Sequence, residues 1–120
     1  MNKNRVDSWL VCAKDALEIT KIAQSGVVNK SFRGQISSFG AAIIMGSFKS
    51  AVAFFSEQSG AAVEREKLLE AMYYVIFREK KSAKQVLVYV CENDTKELKN
   101  KFIDASIAIK LAMNFYELKA

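Results

Sequence analysis

The feature that most constrains the fold is the apolar segment 37–55, SSFGAAIIMGSFKSAVAFF, in which Lys49 is the only charged residue. The helical spacing of apolar residues around this segment changes phase at Gly46. The first stripe is Phe32, Ile36, Phe39 and Ile43, and the second is Phe48, Val52 and Phe55. A glycine can end a helix with a positive φ, and a following serine can cap the next one. The segment therefore predicts two short amphipathic helices that meet at a tight corner.

A membrane span fits this segment poorly. A transmembrane helix needs about 20 predominantly apolar residues, and a lysine near its centre costs about 2.5–3.5 kcal/mol. The N-terminal sequence MNKNRVDSWL also lacks the apolar core of a signal peptide. The two cysteines are too few for a disulfide framework. We therefore expect a cytoplasmic protein that contacts no membrane.

Composition favours an all-α fold. The 120 residues include five glycines and no proline, and 51% of them are apolar. Little in the chain therefore interrupts a helix except glycines and polar clusters. The length fits one domain, residues 1–120. We expect a single compact helical bundle of about five or six helices with a long C-terminal helix.

Periodicity and capping residues place the predicted helices along the chain. The first helix covers about 5–24 with a stop at Gly26, and the second is capped by Asn29 or Ser31 and runs to the break at Gly46. The third covers about 48–58 with a stop at Gly60, the fourth about 62–80, and a short fifth helix begins at Ser82. The last covers 95–120, with a cap at Asp94 and Glu97 in its first turn. The last of these would be a rod of about 39 Å at about 1.5 Å per residue.

Residues 86–90, VLVYV, are ambiguous, because a run rich in β-branched residues is typical of a strand. An isolated strand would leave a row of unpaired backbone groups, and no other segment has an extended pattern. We predict a helix capped by Ser82, with a strand as the open alternative.

The chain lacks the groups on which most enzymatic chemistry depends. It has no histidine, which is the usual general base near neutral pH and the commonest metal ligand. Cys12 and Cys91 have no CxxC partner, and we expect both to be buried, inert thiols. Glu66 and Glu70 could share a divalent ion, but such pairs are usually solvated surface charges. We expect no catalytic activity, no cofactor and no metal site.

The formal net charge is +5, and the basic residues are clustered. No acid lies between Glu18 and Glu57. That window contains Lys21, Lys30, Arg33 and Lys49, and a second cluster contains Arg78, Lys80, Lys81 and Lys84. Ordinary solubilising charge would explain both clusters. The alternative is two basic patches that follow a phosphate backbone.

Three tyrosines lie in or near the second cluster. Tyr73 and Tyr74 are adjacent and cannot both face one core, and Tyr89 follows within the next helix. We expect at least one of these rings to be accessible. An accessible ring could stack on a base or pack on a protein partner.

Residues 39–54, FGAAIIMGSFKSAVAF, resemble the signature of the small helical subunit of the type III-B CRISPR effector, the Cmr complex. Phe39-Gly40 occupies the position of the family's Leu-Pro pair. Residues 46–48 occupy the position of its Asn-Gly-Leu corner, with the glycine one place earlier, and residues 51–54 occupy the position of its Ala-Leu-Ala-Phe segment. Residues 102–120 look like the family's closing helix. Within them, Phe115 replaces a tryptophan and Glu117 stands where the family is usually basic.

The resemblance implies a non-catalytic subunit, stacked in several copies as an inner filament between the repeated backbone subunit and the large subunit. It implies contact with guide and target RNA, for which both basic clusters are the candidate residues. Two alternatives stay open: the small subunit of the related type III-A complex, and a helical protein-interaction adaptor without RNA contact. A DNA-binding regulator is disfavoured, because the helix after Gly46 is too apolar to be a recognition helix.

Overall fold

The computed structural model of the protein describes residues 1–57 and 64–120. Its helices are α1 (Lys3–Ile19), α2 (Ser31–Met45), α3 (Phe48–Phe55), α4 (Arg65–Phe77), α5 (Ala83–Glu92) and α6 (Lys96–Ala112). Three short strands, β1 (Ala23–Gln24), β2 (Val27–Asn29) and β3 (Glu117–Lys119), form one small sheet in that order. The all-α class is confirmed, as are the compact bundle and the long C-terminal helix. Among the described residues, no helix is long and apolar enough to cross a bilayer.

The hydrophobic core is built around α6, because α1, α4 and α2 all pack against it. The sequence predicts one apolar stripe along the last helix, comprising Leu98, Phe102, Ala105, Ile109, Ala112 and Tyr116. The first five are buried on α6, whereas Tyr116 lies beyond the end of α6 and is half-buried. The rings of Phe102 and Phe48 meet edge to face with centroids 5.3 Å apart. Each buried side chain of this size stabilises the fold by about 1.5–3 kcal/mol relative to exposure. The apolar face of α6 thus holds three other helices in place.

The corner between α2 and α3 is confirmed, and all seven residues of the two apolar stripes are buried. Ser47 caps α3: its hydroxyl accepts from the Ser50 amide at 3.1 Å, and its own amide donates to Ser50 Oγ at 2.8 Å. The predicted positive φ at Gly46 is wrong, since its φ is −128°. Glycine is needed there for space, because a Cβ would lie 2.7 Å from Ser50 Oγ and 3.3 Å from the Ala42 carbonyl oxygen.

Residues 83–92 are helical, so the prediction for the ambiguous segment is confirmed. Ser82 and Gln85 form a reciprocal capping box, with the Ser82 amide donating to Gln85 Oε1 at 2.9 Å. Val86 and Val90, four residues apart, face the core, whereas Val88 is 57% exposed. Tertiary packing of two valines on one helix face outweighs the β-propensity of the run.

The first helix ends at Ile19, not near residue 24, and the expectation that no segment other than 86–90 is extended is wrong. Beyond α1 the chain turns, with Lys21 at φ 63°, and enters the β1–β2 hairpin. Its two-residue loop, Ser25-Gly26, has φ values of 53° and 77°. Positive φ at both positions is what a type I′ hairpin turn requires, and glycine adopts it at little cost.

The last helix ends at Ala112, not residue 120, and Thr95 caps it rather than Asp94. Thr95 Oγ1 accepts from the Leu98 amide at 3.1 Å. After a 3₁₀ turn, Met113–Phe115, the chain extends and β3 pairs in parallel with β2. The Lys30 amide donates to the Lys119 carbonyl oxygen at 2.8 Å. This pairing replaces the hydrogen bonds that a longer helix would have made, so α6 spans about 26 Å over 17 residues.

Two other helix ends differ from the prediction. The fourth helix ends at Phe77 rather than near residue 80, because Arg78 takes a left-handed φ of 56° and its amide donates to the Tyr74 carbonyl oxygen at 2.7 Å. The third helix ends at Phe55. The structure does not describe residues 58–63, which include the predicted end of this helix at 58, its predicted stop at Gly60 and the predicted start of the fourth helix at 62.

Candidate functional site

The small sheet brings three of the predicted RNA-binding residues to one end of the molecule. Lys21 precedes β1 by two residues and Lys30 directly follows β2, so both lie at the open end of the hairpin. Arg33 lies in the first turn of α2. Lys119, which pairs with Asn29 across the sheet, is a fourth basic residue there. Lys30 and Lys119 are direct neighbours, since the Lys30 amide donates to the Lys119 carbonyl oxygen at 2.8 Å.

We call Lys21, Lys30, Arg33 and Lys119 the sheet-end cluster. Arg33 Nη1 donates to Asn114 Oδ1 at 2.8 Å, which orients its guanidinium. Lys119 Nζ lies 3.7 Å from Glu117 Oε1, and both groups are more than half exposed, so this pair is weak. Within residues 1–57 and 64–120, Lys21 and Lys30 form no ion pair. The cluster therefore has a net positive charge and two uncommitted ammonium groups.

The structure sets Lys49 apart from this cluster. Lys49 Nζ lies 3.8 Å from Asp94 Oδ2, just before the N-terminal end of α6. Asn114, which holds Arg33, lies just beyond the other end of α6. The length of α6, about 26 Å, separates the two positions. The acid-free window in the sequence is therefore not one patch in space, and Asp94 partly neutralises Lys49.

The second basic cluster lies on the α4–α5 connection and the first turn of α5. The Arg78 guanidinium donates to the Val75 carbonyl oxygen, and Lys81 Nζ lies 3.1 Å from Glu79 Oε1. In the described part of the chain, Lys80 and Lys84 form no ion pair. Two of the four predicted residues are thus already engaged within the protein.

A groove of about 500 Å³ lies beside the second cluster, between α4 and α5. It is lined by Tyr73, Glu79, Lys81, Lys84, Gln85, Val88, Tyr89 and Glu92. The rings of Tyr73 and Tyr89 meet edge to face with centroids 5.7 Å apart. Burial, and then the nearby Glu79 carboxylate, raise the pKa of Tyr73. Tyr89 is half-buried and provides the accessible ring that the sequence predicts.

The surface has two apolar features that sequence reasoning missed. Ile44 and Met45, in the last turn of α2, are 85% and 89% exposed, and we call them the apolar tip. A groove of about 310 Å³, the end groove, is lined by Leu10, Leu111, Asn114 and Phe115. The side chain of Asn114, which lines the end groove, accepts a hydrogen bond from Arg33 of α2. Arg33 precedes Met45 by twelve residues, so the end groove and the apolar tip are about 18 Å apart along α2. The sequence could have indicated the apolar tip, because Ile44 and Met45 do not belong to the helical stripe Phe32, Ile36, Phe39 and Ile43 that α2 buries.

A buried ion pair joins α1 to α6, and its residues were not singled out by the sequence. Asp104 is 2% exposed and accepts from Arg5 Nε at 2.9 Å and Nη2 at 2.6 Å. The Asn2 amide also donates to it, at 3.3 Å. The carboxylate is thus satisfied by groups of α1 and its N-cap, which is the arrangement of a structural clamp.

The groups with potential for chemistry are dispersed. Cys12 is half-buried, and burial raises the pKa of its thiol, whereas Cys91 is exposed, contrary to the prediction. Glu70 accepts from the Ala83 amide at 3.3 Å, and burial raises the pKa of its carboxyl. Among the described residues, no three Cys, Asp or Glu side chains come together as metal ligands would.

Comparison of the chain with protein-family models, with curated proteins and with solved structures finds no match. The resemblance of residues 39–54 to the Cmr small subunit therefore stays a prediction. Any functional proposal rests on that resemblance and on the surfaces described above.

Proposed function

We propose that the protein is a non-catalytic small subunit of a type III-B CRISPR effector, the Cmr complex, acting in the cytoplasm. It stacks in several copies as the inner filament along the guide–target RNA, between the backbone subunits and the large subunit. In this position it aids assembly and target RNA binding in antiviral defence. The observation that carries the proposal is the sheet-end cluster, which places four basic residues at one end of the fold.

The chemistry of the cluster suits a phosphate backbone. Lys21 and Lys30 are exposed, and Arg33 is already oriented by Asn114. An A-form duplex hides its major-groove edges, so contacts of this kind respond to shape and charge, not sequence. If the four residues contact four phosphates, raising the salt concentration from about 50 to about 200 mM should weaken RNA binding roughly 100-fold. Lys80 and Lys84 are the better candidates for a second strip, since Lys81 is paired with Glu79.

The apolar surfaces support stacking of copies. The apolar tip projects at the C-terminal end of α2, and the end groove lies near the N-terminal end of the same helix. A contact between the tip of one copy and the groove of the next is heterologous, and it repeats as an open filament when the rotation does not close. The proposal therefore assigns Ile44 and Met45 to the joint between successive copies.

A protein-interaction adaptor without RNA contact is the second candidate. It is favoured by the carboxylates of Asp94 and Glu79, which partly neutralise Lys49 and Lys81, two of the eight predicted cations. The apolar tip and end groove would serve an adaptor equally well. The small subunit of a type III-A complex would have the same surfaces.

The decisive experiment is fluorescence anisotropy of a labelled guide–target RNA duplex, titrated with the protein alone and with the other effector subunits, at about 50 and 200 mM salt. The test variant is Lys21→Glu/Lys30→Glu. The control is Lys3→Glu/Lys96→Glu, which makes the same charge change at two exposed lysines outside the cluster. We expect the cluster variant to lose salt-sensitive binding and the control to keep most of it. Equal affinities for the two variants, with assembly intact, would leave the adaptor.

A further inference from the structure

The outer face of α5 has a cation at one end, an apolar residue at the centre and an anion at the other end. These residues, Lys84, Val88 and Glu92, are four positions apart and form one stripe along the helix. All three are exposed, and Val88 is 57% exposed. The stripe borders the groove between α4 and α5.

The two charges of this stripe have no partner in the part of the chain that the structure describes. They are eight residues apart, about 12 Å along the axis, which is too far for them to pair with each other. Each also lies at the helix end where the macrodipole disfavours it, since Lys84 is near the positive N-terminus and Glu92 near the negative C-terminus. An external partner of opposite pattern would satisfy both charges.

We propose that this face of α5 binds the same face of a second copy of the chain, antiparallel about a two-fold axis at Val88. In that arrangement a residue n positions after Val88 faces the residue n positions before Val88 of the other copy. Lys84 of each copy then meets Glu92 of the other, so the ion pair forms twice, as an isologous interface requires. The two Val88 side chains meet at the axis. The stripe is therefore complementary to itself and not to a uniformly charged partner.

The groove between α4 and α5 provides room for the second copy. Its volume is about 500 Å³, and Val88 and Tyr89 line it next to the ring of Tyr73. The contact involves little more than one helix face per copy, less than the roughly 800 Å² per partner of a stable interface. We therefore expect a weak dimer, with a dissociation constant above about 1 µM. The inference goes beyond the proposed function, and dimer formation would withdraw Lys84 from RNA.

Charge reversal tests the self-complementarity, with sedimentation equilibrium of the full chain as the readout. Lys84→Glu places two carboxylates at each contact and Glu92→Lys places two ammonium groups there. We expect each single variant to dimerise at least tenfold more weakly than the wild type. An equimolar mixture of the two, and the Lys84→Glu/Glu92→Lys double variant, should recover the dimer. A monomeric wild type at about 1 mM, a dimer indifferent to Lys84→Glu, or a mixture that stays monomeric would overturn the proposal.

A disulfide cross-link tests the position of the axis. In a Cys12→Ser/Cys91→Ser background, Val88→Cys should form a covalent dimer rapidly under mild oxidation, because the two side chains meet at the axis. The matched control is Val11→Cys in the same background, since Val11 is 69% exposed and lies on a different helix, α1. Cross-linking of Val88→Cys no faster than that of Val11→Cys would place the interface elsewhere and overturn the proposal.

Discussion

Arg5 and Asp104 lie 99 positions apart in the chain and form a hydrogen-bonded ion pair, with Arg5 Nε and Nη2 at 2.9 and 2.6 Å from Asp104 Oδ2. The carboxylate is 2% exposed, whereas the guanidinium side chain keeps 26% exposure. The pair fixes the first turn of α1 against the middle of α6, and Arg5 also lies over the Trp9 ring, 5.4 Å from its centroid. It therefore ties the first helix of the bundle to the last.

Asp104→Ala should lower the free energy of unfolding by about 2–4 kcal/mol, because it leaves the Arg5 guanidinium and the Asn2 amide without their acceptor. Chemical denaturation monitored by circular dichroism gives the value. Glu97→Ala is the control: Glu97 is 81% exposed, pairs with Lys101 at 3.6 Å and lies in the first turn of α6, so its loss should cost less than about 1 kcal/mol. Similar losses for both variants would mean that the buried pair is not a clamp.

Gly46→Ala and Gly40→Ala should change stability in opposite directions. A Cβ at Gly46 would lie 2.7 Å from Ser50 Oγ and disturb the α3 cap, at a cost of about 1–2 kcal/mol. Gly40 lies within α2 and a Cβ there has nothing within 4 Å, so alanine should stabilise by about 0.5–1 kcal/mol. Thermal and urea unfolding of both variants checks the two signs. Stabilisation by Gly46→Ala would contradict the described corner.

The pKa of Tyr116 is raised to about 12, first by burial and then by the Glu18 carboxylate. Its hydroxyl donates to the Lys14 carbonyl oxygen at 3.2 Å. Because the folded pKa exceeds the usual value near 10, the folded state holds this proton more tightly than the unfolded state. The stabilisation is complete below pH 10 and is lost as pH rises from about 10 to 12.

Unfolding of the wild type and of Tyr116→Phe between pH 8 and 11.5 tests this linkage. The wild type should lose stability more steeply above pH 10 than the variant, which has no phenol to ionise at that position. Tyr73 titrates in both proteins, so the difference between the two curves isolates Tyr116. Parallel curves would show that the Tyr116 phenol ionises at an ordinary pH.

Gly26→Val should destabilise the small sheet selectively. Gly26 has a φ of 77°, which costs a β-branched residue about 1–3 kcal/mol. The Gly26 carbonyl oxygen accepts from the Glu117 amide at 2.9 Å, so hydrogen exchange at Glu117 should become faster. Gly34→Ala, in a helix with open space around its Cβ, is the control and should leave that exchange rate unchanged. An unaffected Glu117 amide in Gly26→Val would mean that β3 does not depend on the turn.

Local patterns in the sequence predicted most of the helices because those helices bury one face each. The stripes of α2 and α3 are buried as predicted, and Ser47 and Ser82 cap α3 and α5 as predicted. The hairpin had a local signal too, since Ser25-Gly26 is a turn dipeptide, but only three residues of strand follow it. A strand that short has no periodicity to detect.

For the candidate site, the sequence identified cations but not their surroundings. Lys21, Lys30 and Arg33 come together because of the hairpin, and Lys119 joins them because β3 pairs with β2 across about 90 residues of chain. Lys49 lies apart from this cluster, because it is near the N-terminal end of α6 and the cluster is near the C-terminal end. The hairpin is local, whereas the β2–β3 pairing and the position of Lys49 cannot be derived from spacing along the chain, since they depend on contacts between distant segments.

The sequence by itself determined the helical class, the presence of five or six helices, the corner at Gly46 and the apolar stripes of α2 and α3, because each follows from interactions within a few positions. Tertiary structure alone decided that the last eight residues leave the helix, that Asp104 is buried against Arg5, and that Ile44 and Met45 stay exposed. The physical reason is that the first two outcomes depend on partners about 90 to 99 positions away in the chain. A hydrogen bond or ion pair to such a partner competes with local helix propensity, and its strength depends on the completed fold.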